Sequence, residues 1–363
     1  MWRSAAIDRR SLVKAAGLSF LAALQPRALL ALERADAVYA SGIRAADGSF
    51  AVATVTERGE IVDQVTLPAR AHGMAFSPAT GKTVAFARRP GTYAMIFDPW
   101  NKGEPIVITS AEGRHFYGHG AFSPDGRVLY ASENDFDGNR GMIGLYDATS
   151  RFARIGEFET YGVGPHDMTV SDDGRWLVVA NGGIETHPDS GRTKLNLGNM
   201  QPSLTLIDAA NGMLVEKHVL PPQWSQVSTR HVDIDAGGSV WFACQYEGHR
   251  NDLPPLVGRF AKGEELTVID LPEKTTRRLG NYVGAIAVNR KDGLVGVTSP
   301  KGASVTIDAR SGKVLAEDRI SDASGIAPAR HGFAVSSYGG KFLATRSDVA
   351  WDQHIVGIAR GRG

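Results

Sequence analysis

One phrase recurs along this chain: a histidine, an apolar run, a tight glycine turn and a second apolar run. It reads ARAHGMAFSPATGKTVAFARR around His72 and FYGHGAFSPDGRVLYASEND around His119. It returns as GVGPHDMTVSDDGRWLVVANGG around His166 and STRHVDIDAGGSVWFACQYEG around His231. The four histidines are spaced 47, 47 and 65 residues apart. A strand–turn–strand phrase recurring roughly every 40 to 50 residues is the pattern of β-propeller blades. A lone blade leaves both faces of its sheet wet, so such units must stack, and closing the stack into a ring protects the sheet edges.

Seven such units are predicted, beginning near Asp36, His72, His119, Gly164, Arg230, Asn281 and Gly325. Apolar residues followed by Asp recur as a third-strand phrase in MIFDP, IGLYDATS, LTLIDAANG, LTVIDLPE and VTIDARSG. The Asp of each is expected to cap the turn into the outer strand by accepting from backbone amides. The terminal segment His354–Ala359 is a candidate for the strand that closes the ring. The fold expected is all-β, a single seven-bladed propeller of the YVTN/WD40-like kind over residues 33–363. The 42 glycines and 17 prolines suit its many turns. The segment Gly182–Ser203 interrupts two strands of the fourth unit and accounts for the longer spacing. Long insertions of this sort map to a face loop that covers or binds something.

A net charge of +1 with interspersed signs leaves no electrostatic footprint for nucleic acid. The single cysteine, Cys244, excludes an internal disulfide and any multi-cysteine metal site, and its apolar surroundings predict a buried thiol. Ahead of the domain, residues 1–32 carry Arg3, Arg9 and Arg10 and a short Ala/Gly-rich apolar stretch. The run Asp8-Arg9-Arg10-Ser11-Leu12-Val13-Lys14 matches a twin-arginine export signal, which predicts a periplasmic protein. No transmembrane span is expected in the mature chain.

The first strand of each propeller blade lines the central channel. His72, His119, His166 and His231 all stand near the start of that strand, so four imidazoles are expected to converge on one rim of the axis. Gly42, Val283-Gly284 and Gly325 are placed there by the other blades. Neutral imidazole is a common ligand for iron, copper, zinc and nickel, and the absence of cysteine partners suits iron or copper, with zinc less favoured. A repeated histidine can equally cap a strand, and spacing does not choose between the two roles. Asp167, Glu133, Asp135 and Gln245 are available as helper groups, and Arg230 can take an anionic ligand bidentately. His115 lies close enough in sequence to reach the same rim, and His187 with Asp189 and Arg192 can form a lid from the insertion. His354 is left unassigned by its spacing. His331, His218 and His249 read as a surface turn, a solvated outer strand and a polar loop. Nucleophile elbows and phosphate-binding loops are absent, so catalytic residues are not identified.

The phrases FARRPGTYAMIFD, VVANGGIETHPDSGRTKLNL, RHVDID, CQYEG and NYVGAIA, with those above, resemble the family called domain of unknown function 1513. The likeness covers roughly residues 33–355, and the insertion phrase is its most specific part. It implies an exported seven-bladed propeller with no established activity. It also implies a genetic neighbourhood of imelysin-type and di-haem peroxidase-like proteins, hence a role in iron acquisition. The family's histidine phrases match at His72, His119, His166, His187 and His231. The terminal WDQH matches WDNH at His354, with Gln353 as the departure. Three functions follow as expectations: a metal-handling propeller, a metal-dependent hydrolase or oxidoreductase of the propeller-lactonase kind, and a protein-docking scaffold.

Overall fold

The structure is a computed structural model that describes residues 37–101 and 103–358. The twin-arginine leader over 1–32 lies outside the described residues, as does Ala359. Seven four-stranded antiparallel sheets are formed. Their innermost strands are Ala350–Gly357, Ala71–Phe76, Arg114–Phe122, Pro165–Val170, Val227–Ile234, Ala285–Asn289 and Ala323–Pro328, for blades 1 to 7 in that order. Each packs against the next and the seventh against the first, which closes the ring. No helix is long and apolar enough to cross a membrane among the described residues.

Closure is made by the two ends of the chain. The C-terminal strand Ala350–Gly357 pairs antiparallel with Ala37–Arg44, with Ser41 opposite Ile355. Blade 1 therefore takes its inner strand from the C-terminus and its other three from the N-terminus. Gly42, expected at the channel, sits instead on the second strand of that blade, and its place at the axis is taken by the strand bearing His354. The reason is topological: an inner strand borrowed from the far end of the chain shifts the local repeat by one strand.

Seven apolar clusters hold the ring, each shared between two neighbouring blades. Trp241 and Trp351 are wholly buried in two of them. Alternating side chains bury both faces of every sheet, which is why the inner strands read as apolar runs. Cys244 is buried in the cluster between blades 4 and 5, and burial pushes its thiol up. The third-strand aspartates act as read from sequence in four blades. Asp98, Asp147, Asp208 and Asp308 accept from Trp100, Thr149, Ala210 and Ser311 backbone amides at 2.7–2.9 Å. The LTVID phrase departs from this: Thr267–Val268 is the outer strand of blade 5, and Val257–Phe260 is its third. An exposed two-residue outer strand and a third strand carry the same local pattern, so the phrase does not separate them.

Candidate metal centre in the propeller axis

The innermost strands do not run smoothly past the axis. Ladder register slips between Ala71 and Met74, Phe116 and Gly120, Pro165 and Asp167, and Thr229 and His231. It slips again where the C-terminal strand passes from Trp351 to Ile355. Each slip is a β-bulge at or beside a histidine, and a bulge re-aims its side chain out of the ladder. His72, His119, His166 and His231 from blades 2 to 5 are thereby brought together with His354 from blade 1. All five are packed ring against ring, with centroids 4.6–5.5 Å apart in eight pairs. Carbonyls freed by the bulges are recovered by serines of the second strands. Ser132 donates to His119 O at 2.9 Å and Ser41 to His354 O at 2.8 Å.

Glycine makes this density possible. A Cβ on Gly73 would stand 2.5 Å from His119 Nδ1 and 2.5 Å from Gly118 O. Gly118 adopts φ +107°, and a Cβ there would meet His72 at 2.7 Å. The Gly-His pairs of blades 2 and 3 thus interlock, each glycine vacating the space that the other blade's imidazole fills.

Two sets of three histidines hold one ligand atom each within 4.8 Å of one another: His72, His119 and His166, and His119, His231 and His354. Metal–imidazole bonds are about 2.1 Å long, so small side-chain rotations close either set on an ion. His119 belongs to both sets. Its Nδ1 donates to Asp167 Oδ1 at 3.1 Å, and Asp167 Oδ2 lies 3.5 Å from His231 Nδ1. That leaves His119 only Nε2 for a metal, so the two sets share one site. Asp167 is itself held by Met168 N at 2.8 Å and Val232 N at 3.3 Å, the latter from the next blade.

Buried ring nitrogens with no hydrogen-bond partner are found on His72 (Nδ1), His119 (Nε2), His166 (Nδ1) and His354 (Nε2). A buried nitrogen without a partner is costly unless a ligand uses it. Burial pushes His72, His166 and His354 well below the usual imidazole range, aided by neighbouring histidines and by Arg88 or Arg230. Burial also pushes His231 down to about 4, against the opposing pull of Asp167. Burial would raise Asp167, but His119 and His231 hold it far below the carboxylate range. Near neutral pH His72, His166, His231 and His354 therefore present neutral imidazole lone pairs beside the Asp167 carboxylate, the protonation state that ligates metals. Below it a cavity of about 360 Å³ is lined by His119, Asp167, His231, Asp233 and His354 with apolar neighbours.

Other residues named from sequence are placed apart. His115 Nδ1 contacts Phe116 O at 2.9 Å, and its Nε2 contacts Asn134 at 3.2 Å. Its ring stacks on Phe136 and does not join the five. His187 packs edge-on to Phe136 and lies 3.6 Å from both Asp137 and Asp189, capping the turn Pro188–Ser190. Arg192, from the same insertion, does cross the face: its Nη1 donates to Arg89 O at 3.2 Å, from blade 4 to blade 2. Arg230 is engaged with Gln245, donating to Oε1 at 2.6 Å. Glu133 faces away from the axis and accepts from Tyr146 at 2.6 Å and Arg154 at 3.1 Å, while Asp135 is bound by Arg114 and Arg140. His218 is half-buried rather than solvated, because its ring packs against Phe260 on the third strand of the neighbouring blade. The arginines Arg88 and Arg89 escaped the sequence reading; the phrase FARRPG was the signal for them.

Fold and site together define a seven-bladed β-propeller whose axis is filled by histidine groups able to bind a metal ion. The chain belongs to the family described as "Protein of unknown function (DUF1513)", whose model matches residues 65–358. No curated protein matches it. Among solved structures it is similar to hydrazine synthase of Kuenenia stuttgartiensis, with 15% identity and a TM-score of 0.61. That alignment covers 82% of this chain and 89% of the other, a likeness of fold.

Proposed function

We propose that this protein binds a transition-metal ion, iron or copper, in the histidine cluster of its axis. The observation that carries this is the set of four buried, unpartnered imidazole nitrogens aimed into a cluster of five rings. Strand caps would have their nitrogens satisfied by backbone; these do not. Asp167 supports the reading further, because an oriented His–carboxylate pair is the usual outer shell of a metal-bound histidine. An all-imidazole donor set favours copper, iron or zinc over calcium or magnesium, whose ligands are oxygens. The twin-arginine phrase at residues 8–14 supports a periplasmic address, where the chain would cross the membrane already folded around its ion. Work within an iron-acquisition system, beside imelysin-type or di-haem peroxidase-like partners, is the role suggested by the family resemblance.

The test is metal content by mass spectrometry of the protein exported with its own leader, beside His119→Ala. Because His119 is common to both triads, that one change should empty the site while leaving the propeller folded. Equal, near-zero metal in both folded proteins would sink the reading. The cavity against His119, His231 and His354 favours a second reading, in which a bound metal activates water for hydrolysis. Metal-dependent turnover in an ester and lactone panel, lost in His119→Ala, would select it.

A further inference from the structure

Beside the histidine cluster, unpaired charge is concentrated on the face where the inner strands begin. Arg70, Arg88, Arg89 and Arg192 line a cavity of about 460 Å³ there. Arg70 is neutralised by Asp352, donating from Nε and Nη2 at 2.8 Å each. The other three have no carboxylate within ion-pair reach among the described residues. Arg192 spends one nitrogen on a backbone carbonyl, Arg89 O. Arg89 is only 7% exposed, yet its Nη1 has no partner, and Arg88 Nε is likewise buried and unpaired. The mouth extends toward Arg230, 8% exposed, whose Nε is also unpaired. Mutual repulsion is evident at Arg192: burial, with Arg88, Arg89 and Arg230 beside it, pulls its guanidinium down to about 10.

Arg89 and Arg230 are buried with unpartnered guanidinium nitrogens, and the repulsion they share with Arg88 and the exposed Arg192 is a penalty that an anion relieves. Each presents a planar fork that matches carboxylate or phosphate oxygens bidentately. Arg88 and Arg89 come from blade 2, Arg192 from the blade 4 insertion that reaches over them, so the forks converge from two sides. We propose that this mouth is a receptor for a small polyanion bearing two or more carboxylate or phosphate groups. The volume admits a molecule of di- or tricarboxylate size. The inference stands apart from the metal reading, since Arg88, Arg89 and Arg192 have no carboxylate ion-pair partner among the described residues whether or not the histidines take an ion. It does explain what the insertion covers: Arg192 anchors it across the mouth, and Lys194 pairs with Glu247 on blade 5.

The experiment is calorimetric titration of the purified protein, stripped of metal on a resin, with citrate and with inorganic pyrophosphate at physiological salt. Saturable binding of either is expected. A preference for citrate marks a carboxylate ligand, and a preference for pyrophosphate a phosphate one. Arg88→Gln/Arg192→Gln should weaken binding about tenfold or more, as loss of charged, bidentate hydrogen bonds does. The single Arg192→Gln, in an exposed loop, should weaken it with no change in melting temperature. Arg127→Gln, an exposed arginine in the hairpin turn at the other end of the blade 3 inner strand, should bind as wild type does. Failure of the wild type to bind either anion, or equal binding by the double arginine variant, would overturn the proposal. So would an equal loss of binding in Arg127→Gln, which would make the effect one of overall charge and not of this mouth.

Discussion

Asp167 and His119 are neighbours in space from adjacent blades, with Oδ1 3.1 Å from Nδ1. The bond decides which nitrogen of His119 is free, and that nitrogen, Nε2, is buried without a partner. Asp167→Asn keeps the size but loses the charge and one acceptor, so it can no longer accept from both Met168 N and Val232 N or hold both imidazoles. Metal affinity is expected to fall about 10- to 100-fold with the fold retained, as for other outer-shell carboxylates. Competition with a chromophoric chelator measures it; an affinity equal to wild type would remove Asp167 from the site.

Acid should destabilise the metal-free protein in a defined window. Unfolded histidine titrates near 6.5, whereas folded His231 titrates near 4 and His72, His166 and His354 lie well below the ordinary value. The unfolded chain therefore binds more protons between those limits, and stability falls as pH drops from about 6.5 toward 4. His231 by itself accounts for on the order of 3 kcal/mol over that range. Asp233 acts in the opposite sense, since burial raises it to about 6 and its contribution is lost as pH climbs from about 4. Melting temperature between pH 7.5 and 4.5 reads the balance. His231→Ala should flatten the slope, whatever it does to the level, and an unchanged slope would contradict the assignment.

The interlocking glycines give a contrast within one protein. Gly73→Ala and Gly118→Ala each force a Cβ into an imidazole, and Gly118 adds the strain of its positive φ. Losses of about 1–3 kcal/mol and a vacated metal site are expected. Gly156→Ala, with nothing within 4 Å, should leave both melting temperature and metal content within error. Metal retained at full stoichiometry in Gly73→Ala would show that the rings need not pack this closely.

Glu133 tests the opposite claim, that a buried acid near the axis in sequence is structural. It is fully buried with Tyr146 and Arg154 as partners. Arg154→Met leaves an uncompensated buried carboxylate and should cost about 3–5 kcal/mol, and Tyr146→Phe about 1–2 kcal/mol. Metal stoichiometry in the surviving folded protein should not change; a drop would connect Glu133 to the ligand sphere.

Much of this was legible beforehand, for a local reason. Blade phrases are written in contiguous residues, so period and alternation reveal the ring and mark His72, His119, His166 and His231 as inner-strand residues. Asp98, Asp147, Asp208 and Asp308 were legible too, because an Asx turn spans only a few residues. The segment from His354 was legible as the candidate closing strand, but its imidazole was not placed at the axis, since its blade is assembled from the two ends of the chain. Arg88 and Arg89 were not singled out, because nothing nearby in sequence marks the loop of blade 4 that meets them.

The sequence by itself determined the seven repeats, the strand order within most blades and four of the five axial histidines, because hydrophobic alternation and turn chemistry act over a few residues. Only the tertiary structure decided that the C-terminal strand delivers the fifth, that bulges turn the rings onto the axis, and that Asp167 of one blade orients His119 of another. It also decided that Arg192 meets Arg88 and Arg89. Those contacts join residues tens to hundreds of positions apart, and they exist only once apolar packing between blades has closed the ring.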